Sequence, residues 1–348
     1  MSASLRRLVV GASVLSLSLG LAACATPAGD SGAAGSDAKS IIIIVPTTVA
    51  GDNFIALAAD GAKEAGKKSG ASVKVYESNN DPQLIQQNID AAVRTKPDLI
   101  IGVSYSVQEQ FEAAAKADAK QQFLLVDQAA SVELPNLTSV VFKEYEAAYL
   151  VGVEAGLLTK TNKIGVVGAV DSPFIHRWID PYFAGAKSVN PAVETSAQYV
   201  GGDNPFGDVV RSKAQAQILA GNGVDLIQAA SSGGNGGTFE AAKENSIGAF
   251  GVTTNQCPDA PGTVIDNNLK RVDVGIVDAV EQIFAGKTGG AKVYGLAEGG
   301  VSVSALEPDV ATSKCLIADH PDVIAKVKEI RDEIVSGKIV VPDPLAAG

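Results

Sequence analysis

The chain has 348 residues with 39 acidic and 28 basic side chains, so its formal net charge at pH 7 is −11. An acidic chain lacks the basic face that nucleic acids require, which argues against a nucleic-acid-binding function. Hydrophobic residues make up 46% of the chain and charged residues 19%, a composition typical of folded proteins, and the length suggests two domains.

The N-terminal segment has the pattern of a secretory signal. Arg6 and Arg7 precede an apolar stretch at 8–23, which is shorter than the roughly 20 residues that a membrane-spanning helix needs. The tetrad Leu-Ala-Ala-Cys that ends at Cys24 resembles the lipobox of bacterial lipoproteins, in which the cysteine is lipidated. We therefore predict a signal peptide at 1–23, lipidation of Cys24 and a flexible tether at 24–40, with a plain secretory signal as the alternative.

Short apolar runs alternate with amphipathic segments in the first half of the remaining chain. Asp81 and Pro82 form a typical helix start, with an N-cap followed by proline at the first helical position. The patterns predict strands at 41–48, 72–78, 97–104, 121–128 and 136–142, and helices at 52–70, 81–96 and 107–120.

The same alternation restarts after residue 143. Strands are predicted at 163–170, 194–202, 224–231 and 247–254, and helices at 144–161, 174–189, 205–223 and 236–246. A strand and a helix at 262–287, β structure at 291–306, and a last helix with a short strand at 320–341 complete the prediction. This order indicates an α/β protein with two parallel sheets covered by helices.

Parallel α/β units bind ligands at the carboxyl ends of their strands, and two facing units form a cleft that can close by a hinge. Candidate ligand-binding residues therefore belong to the loops that follow the strands. These loops are 47–54, 103–109, 170–178, 230–237 and 253–257.

The remaining motifs bear on cysteine pairing, metals and catalysis. Cys257 and Cys315 could form a disulfide outside the cytoplasm, or they could be two separate buried thiols. With only two histidines and no CxxC or HExxH motif, the sequence indicates neither a zinc site nor another cofactor. No GxSxG motif is present either, so a secreted hydrolase is disfavoured and no enzymatic activity is expected.

Several blocks resemble the basic membrane protein family of bacterial lipoproteins, which includes purine nucleoside receptors. The most specific block spans 136–191, and the segments 97–102, 239–244 and 260–280 match the family in the same order. The resemblance implies a periplasmic-binding-protein type I fold, with two doubly wound parallel-sheet lobes around a ligand cleft and three crossovers between them. We place lobe 1 at 41–140 plus 256–290, and lobe 2 at 141–255 plus 291–348.

The resemblance also implies particular ligand-binding residues. The family's stacking aromatic corresponds to Phe54, and the ligand-contacting lysine of its KRVD motif corresponds to Lys270. Thr253 and Asn255 stand where the family pattern GVDxDQ has carboxylates, and Trp178 is a candidate second aromatic. The full predicted set is Asp52, Asn53, Phe54, Tyr105, Glu109, Trp178, Ser231, Gly233, Asn235, Thr253, Asn255 and Lys270.

The function implied is that of a monomeric receptor, lipid-anchored on the extracytoplasmic face of the cell membrane. It would capture a nucleoside or nucleobase by hinge closure and deliver it to the permease and ATPase subunits of an ABC importer. Two alternatives stay open at this point. The ligand could be a sugar-like or other small polar solute, or the receptor could be a surface sensor rather than an import component.

Overall fold

The computed structural model describes residues 39–347, so the predicted signal peptide, Cys24 and nearly all of the tether lie outside the described residues. The strands are β1 (Ser40–Val45), β2 (Ser72–Glu77), β3 (Leu99–Val103), β4 (Phe123–Val126), β5 (Leu137–Phe142), β6 (Lys163–Gly168), β7 (Glu194–Tyr199), β8 (Leu226–Ala230), β9 (Gly248–Thr253), β10 (Val264–Lys270), β11 (Gly290–Tyr294) and β12 (Val301–Val303). The helices are α1 (Asn53–Ser69), α2 (Pro82–Thr95), α3 (Gln108–Ala117), α4 (Glu144–Leu158), α5 (Pro173–Val189), α6 (Val209–Gly221), α7 (Asn235–Glu244), α8 (Val272–Phe284) and α9 (Pro321–Val335).

The strands form two six-stranded sheets with the same winding. The first has the order β2-β1-β3-β4-β5-β11 and the second β7-β6-β8-β9-β10-β12. All neighbouring strands are parallel except β12, which runs antiparallel to β10. We refer to the unit around the first sheet as lobe 1 and to that around the second as lobe 2. The predicted fold of two parallel-sheet α/β lobes is confirmed.

Local sequence explains where the elements of lobe 1 begin and end. The run of four isoleucines in β1 is buried on both faces, as the central strand of a covered parallel sheet requires. Asp52 caps α1 by accepting from the backbone N–H of Phe54 at 2.8 Å, and the helix ends at Gly70 in the left-handed conformation, φ 69°. Asp81 caps α2 ahead of Pro82, as predicted.

The chain crosses between the lobes three times. It passes from β5 to α4 through Lys143, from β10 to α8 through Arg271, and from β11 to β12 through residues 295–300. Backbone hydrogen bonds join these crossovers to one another: Lys143 N–H donates to the carbonyl of Tyr294 at 2.9 Å, and Arg271 N–H to that of Gly300 at 2.8 Å. The three segments therefore form one hydrogen-bonded hinge.

The crossovers correct the predicted lobe boundaries. We placed 256–290 in lobe 1, but β10 extends the second sheet by pairing in parallel with β9. Conversely, residues 291–294, predicted in lobe 2, belong to β11 and pair with β5 of lobe 1. The prediction was wrong because it put the second crossover before β10, whereas the chain crosses after it.

Two smaller features complete the fold. The short strand predicted at the end of 320–341 is wrong, because no described strand pairs with it, although Val341 packs into the core. A disulfide joins Cys257 to Cys315 in lobe 2. Of the two alternatives for these cysteines, the structure therefore has the disulfide rather than two separate buried thiols. Among the described helices, none has both the length and the apolarity required to cross a membrane.

Candidate functional site

A cavity of about 360 Å³ lies where the carboxyl ends of strands from both lobes face each other. Six of the predicted residues are on its wall: Asp52, Phe54, Tyr105, Trp178, Thr253 and Lys270. Parallel strands direct their carboxyl-end loops to one edge of each sheet, which explains why residues so far apart in sequence converge here. The wall position of these six agrees with a ligand-binding role, which stays a prediction.

The other six predicted residues do not line the cavity. Asn53 and Glu109 are exposed at the first turns of α1 and α3, and Gly233 packs its backbone near the carbonyl of Gly51. The remaining three are Ser231, Asn235 and Asn255.

These three residues make hydrogen bonds within lobe 2. Asn235 accepts from Ser231 N–H at 2.9 Å and donates to Gln256 at 2.9 Å. Asn255 donates to the carbonyl of Ser313 at 3.0 Å and accepts from Cys257 N–H at 3.0 Å, next to the disulfide. Their side chains hold loops in place. The prediction could not separate them from ligand contacts because both kinds of residue follow strands.

Lys270 is buried, with 2% of its surface exposed, and it connects the lobes at the wall of the cavity. Its ammonium group contacts Asp127 of lobe 1 and, at 2.7 Å, Glu144 of lobe 2. Glu144 also pairs with Arg177 at 2.7 Å, and Arg177 binds Asp343 through two hydrogen bonds of 3.0 and 3.1 Å. Burial raises the pKa of Asp127 to about 6, even though Lys270 opposes the shift.

Aromatic rings from both lobes surround the same ammonium group. Its nitrogen lies 5.4 Å from the centre of the Phe54 ring of lobe 1. It lies 5.7 and 5.2 Å from the rings of Phe174 and Trp178 of lobe 2, which contact each other edge to face. These three rings also line the cavity. They can hold a planar ligand between the lobes, since aromatic faces stack on flat heterocycles.

The charged and uncharged polar residues of the wall differ in their bonding. Asp52, Asp127 and Lys270 are all bonded to other protein groups, and Ser232 of lobe 2 donates to Asp52 across the cleft at 3.1 Å. Eight uncharged wall residues have polar side-chain groups that make no hydrogen bond to any part of 39–347. They are Thr47, Asn80, Ser104, Tyr105, Ser106, Trp178, Asn204 and Thr253. The groups left to bind a ligand are therefore mainly uncharged.

Five non-glycine residues on the wall have a positive φ, at the end of a strand or shortly after it. They are Asn80 (59°), Ser104 (81°), Asp127 (69°), Ser232 (51°) and Thr253 (74°). Such conformations cost about 1–3 kcal/mol each for residues other than glycine, asparagine and aspartate, and they concentrate at functional sites. Backbone strain at this edge is independent support for a binding site.

The sequence prediction missed Asp127, Glu144 and Arg177. Asp127 could have been predicted, because it directly follows the buried strand β4. Our candidate set left out the loop after that strand. Glu144 and Arg177 had no such signal, because Glu144 begins the mostly buried helix α4 and Arg177 lies within the amphipathic helix α5. Among the described residues, no cluster of histidine, cysteine and carboxylate side chains has a geometry suited to a metal ion.

Comparisons with known proteins agree with this fold and cleft. Residues 38–343 match the family model described as ABC transporter substrate-binding protein PnrA-like. The ABC transporter nucleoside-binding protein BmpA of Lactococcus lactis subsp. cremoris is 31% identical over 362 aligned positions, covering 97% of this chain and 99% of that protein. A CD4+ T-cell-stimulating antigen of Listeria monocytogenes is 34% identical over 274 residues, covering 74% of this chain and 73% of that protein.

A solved structure shows the same architecture. An ABC transporter solute-binding protein from Aeropyrum pernix superposes with a TM-score of 0.75 at 26% identity, covering 87% of this chain and 94% of that one. The match to the family model extends over nearly all of the described residues and includes both lobes and the hinge. This chain belongs to the PnrA-like family of ABC transporter substrate-binding proteins.

Proposed function

We propose that this protein captures an uncharged, planar solute, a nucleoside or a nucleobase, and delivers it to the permease of an ABC importer. The observation that carries the proposal is the cavity wall itself. Phe54 of lobe 1 and Phe174 and Trp178 of lobe 2 offer rings for stacking, and the polar groups without protein partners are uncharged. As a substrate-binding protein the chain is not an enzyme, so ligand capture requires only a higher affinity in the closed state.

The charge of the wall argues against ligands with a phosphate group. Lys270 is the only basic residue on the described wall, and its ammonium group already contacts Asp127 and Glu144. A phosphate would meet two carboxylates, Asp52 and Asp127, without a free cation to balance it. A sugar remains the alternative ligand, although stacking rings from both lobes favour a flat heterocycle.

A thermal unfolding screen tests the proposal. The ligand-free protein would be heated with adenosine, inosine, guanosine, uridine, adenine, hypoxanthine, ribose or galactose. A ligand that binds only the folded state stabilises it by about 2.7 kcal/mol at 100 times its Kd. We expect nucleosides or bases to raise the midpoint and the two sugars to leave it unchanged. A shift with the sugars alone would contradict the proposal.

We further propose that Cys24 carries a lipid, that this lipid holds the protein on the outer face of the cell membrane, and that the protein is a monomer there. The support for the anchor is the tetrad that ends at Cys24, which lies outside the described residues. The test is incorporation of labelled palmitate in cells. The wild type should be labelled and Cys24→Ala should not, with Cys257 and Cys315 unchanged in both. Equal labelling would exclude Cys24 as the acceptor.

A further inference from the structure

His176 lies in the first turn of α5, between the two aromatic residues that this helix contributes to the cavity wall. Phe174 and Trp178 contact each other edge to face, with their ring centres 5.1 Å apart. His176 itself is not on the described wall, and its side chain is 31% exposed. The N-cap of the helix is weak, because Ser172 accepts from Ile175 N–H at a long distance of 3.5 Å.

Both ring nitrogens of His176 contact carboxylates. Nδ1 lies 2.9 Å from Oδ1 of Asp180, one helical turn further along α5. Nε2 lies 2.9 Å from Oδ1 of Asp171, in the loop that follows β6. An ionised carboxylate only accepts hydrogen bonds, and a neutral imidazole has a single N–H, so it can satisfy one of these contacts but not both. The two contacts together require the imidazolium, which donates from both nitrogens.

Three titratable groups face the ring, from three parts of lobe 2. Besides Asp180 of the same helix and Asp171 of the preceding loop, the hydroxyl of Tyr199 in β7 lies 3.4 Å from Nε2. The hydrogen bond to Asp180 raises the pKa of His176 above its ordinary value of 6.5. Partial burial opposes this shift, and the hydrogen bond to Asp171 adds to it. Burial, with Asp171 nearby, raises the pKa of Tyr199, so its hydroxyl keeps its proton near neutral pH.

Loss of the second imidazole proton would break the contact with the loop. Neutral His176 can still donate to Asp180 through Nδ1 and accept from Tyr199 at Nε2. Asp171 then faces a lone pair instead of a donor, and its link to the helix is lost. Phe174 lies between Asp171 and His176 in the chain, so this link fixes the backbone on both sides of the Phe174 ring.

We propose that the His176 imidazolium is a positioning residue for the aromatic wall of lobe 2, because its bridge between Asp171 and Asp180 holds Phe174 where a planar ligand stacks. The inference rests on the proposed function and adds a control of it by pH. The proton on His176 and a ligand stacked on Phe174 favour the same arrangement of this turn, so each strengthens the binding of the other. Ligand affinity therefore falls as the pH rises and the imidazolium loses its proton.

Two substitutions separate the charge of His176 from its packing. His176→Gln is uncharged at every pH, whereas His176→Arg stays charged and can donate to both carboxylates. His320→Gln is the matched control, because it removes the other histidine of the chain, which is not on the described wall. Calorimetric titrations at pH 6.5, 7.5 and 8.5 would use the tightest binder among adenosine, inosine, guanosine, uridine, adenine and hypoxanthine. Low ionic strength is needed, since salt screens exposed charges.

The measured quantity is the ratio of the Kd of each variant to that of the wild type at the same pH. Titration of the ligand or of other protein groups affects both members of the ratio and cancels. We expect the ratio for His176→Gln to be at least 3 at pH 6.5 and to fall towards 1 at pH 8.5. His176→Arg should bind within twofold of the wild type at pH 6.5 and more tightly than it at pH 8.5, and His320→Gln should stay at 1 throughout.

A purely structural role would give His176→Gln the same ratio at every pH, and that result would overturn the inference. Binding by His176→Arg as weak as by His176→Gln would also overturn it. If no nucleoside or base binds the wild type, the proposed function fails and this inference with it, whereas a ratio independent of pH overturns the inference alone.

NMR titration of the imidazole protons gives a second readout. The chain has only two histidines, so the spectrum of His320→Gln assigns their signals. Saturating ligand should raise the pKa of His176, because the coupling between proton and ligand is reciprocal. Asp171→Asn should lower the same pKa in the ligand-free protein. A pKa of His176 that does not change when the ligand binds would contradict the coupling.

Discussion

Lys270 combines a position on the cavity wall with a structural role in a buried ion network. It lies on the wall of the cavity beside three aromatic rings, and it also neutralises Asp127 and Glu144. Removing one partner of a buried ion network leaves the other charges without compensation, which costs more than the intact network contributes. The lysine is therefore a structural requirement of the closed cleft as well as a candidate ligand contact.

Lys270→Met tests the structural role of this lysine through the free energy of unfolding. We expect the free energy of unfolding at pH 7.5 to fall by about 3–5 kcal/mol, as for other buried pairs that lose one partner. The control is Lys68→Met, which removes the same side chain from an exposed pair with Glu281 at 3.6 Å and should cost less than about 1 kcal/mol. Urea unfolding of both variants measures the difference. Equal losses would show that the Lys270 network is not specially important.

The candidate site was partly predictable at this scale. Phe54, Trp178 and Lys270 were predicted from the family resemblance and from their place after strand ends, and all three lie on the cavity wall. The pairing of Lys270 with Asp127 was not predictable, since it depends on how the two lobes face each other.

Helix α4 packs closely against α5 on one side and buries the carboxyl group of Glu154 on another. Gly152 of α4 and Gly185 of α5 let the two helices approach closely. A Cβ atom at Gly152 would lie 2.0 Å from the carbonyl oxygen of Tyr182, and one at Gly185 would lie 2.0 Å from that of Tyr149. Another side of α4 buries Glu154 near Asp266 of β10.

Gly152→Ala should force α4 and α5 apart. We expect the free energy of unfolding to fall by about 1–3 kcal/mol, the usual cost of overpacking a core. Gly221→Ala in α6 is the matched control, because no atom lies within 4 Å of the added Cβ. It should leave stability unchanged or raise it, since alanine favours a helix. Guanidinium unfolding of both variants checks the contrast, and similar losses in the two would refute the account of this helix pair.

Glu154 predicts a pH dependence of stability. Burial, with Asp266 nearby, raises the pKa of Glu154 well above its ordinary value of 4.5, and burial raises the pKa of Asp266 to about 6. The charge of Glu154 also contributes to the raised pKa of Tyr182, a buried phenol of α5. Because the folded state holds the proton of Glu154 more tightly than the unfolded state, the free energy of unfolding should fall as the pH rises above about 4.5.

Glu154→Gln removes this titration and keeps a side chain of similar size. The variant should lose less stability than the wild type between pH 5 and pH 8, and the residual slope should come from groups such as Asp266. Urea unfolding at several pH values measures both curves. Parallel curves would show that Glu154 does not hold a proton in the folded protein.

At the scale of the whole molecule, the alternation of strands and helices was enough to predict two α/β lobes. The boundaries between them were not predictable from local patterns. Only Arg271 separates β10 of lobe 2 from α8 of lobe 1, so nothing in the local sequence marks this crossover. The pairing of β10 with β9 and of β11 with β5 is a tertiary property, and it decides which lobe each segment joins.

The two lobes and the hinge place all parts of the site around one cleft. The rings of both lobes contribute to its wall, and Ser232 bonds to Asp52 across its mouth. Closure therefore brings together groups that neither lobe holds alone. We therefore expect the solute that the cleft captures to be flat and uncharged.

The most direct test of this claim is a pair of calorimetric titrations of the ligand-free protein, with a nucleoside and with its own 5′-monophosphate. The two ligands share the base and the ribose and differ only in the phosphate. We predict that adenosine, inosine, guanosine or uridine binds measurably and that the matching monophosphate binds at least 100-fold more weakly. Equal affinity for the two, or tighter binding of the monophosphate, would contradict an uncharged-solute receptor.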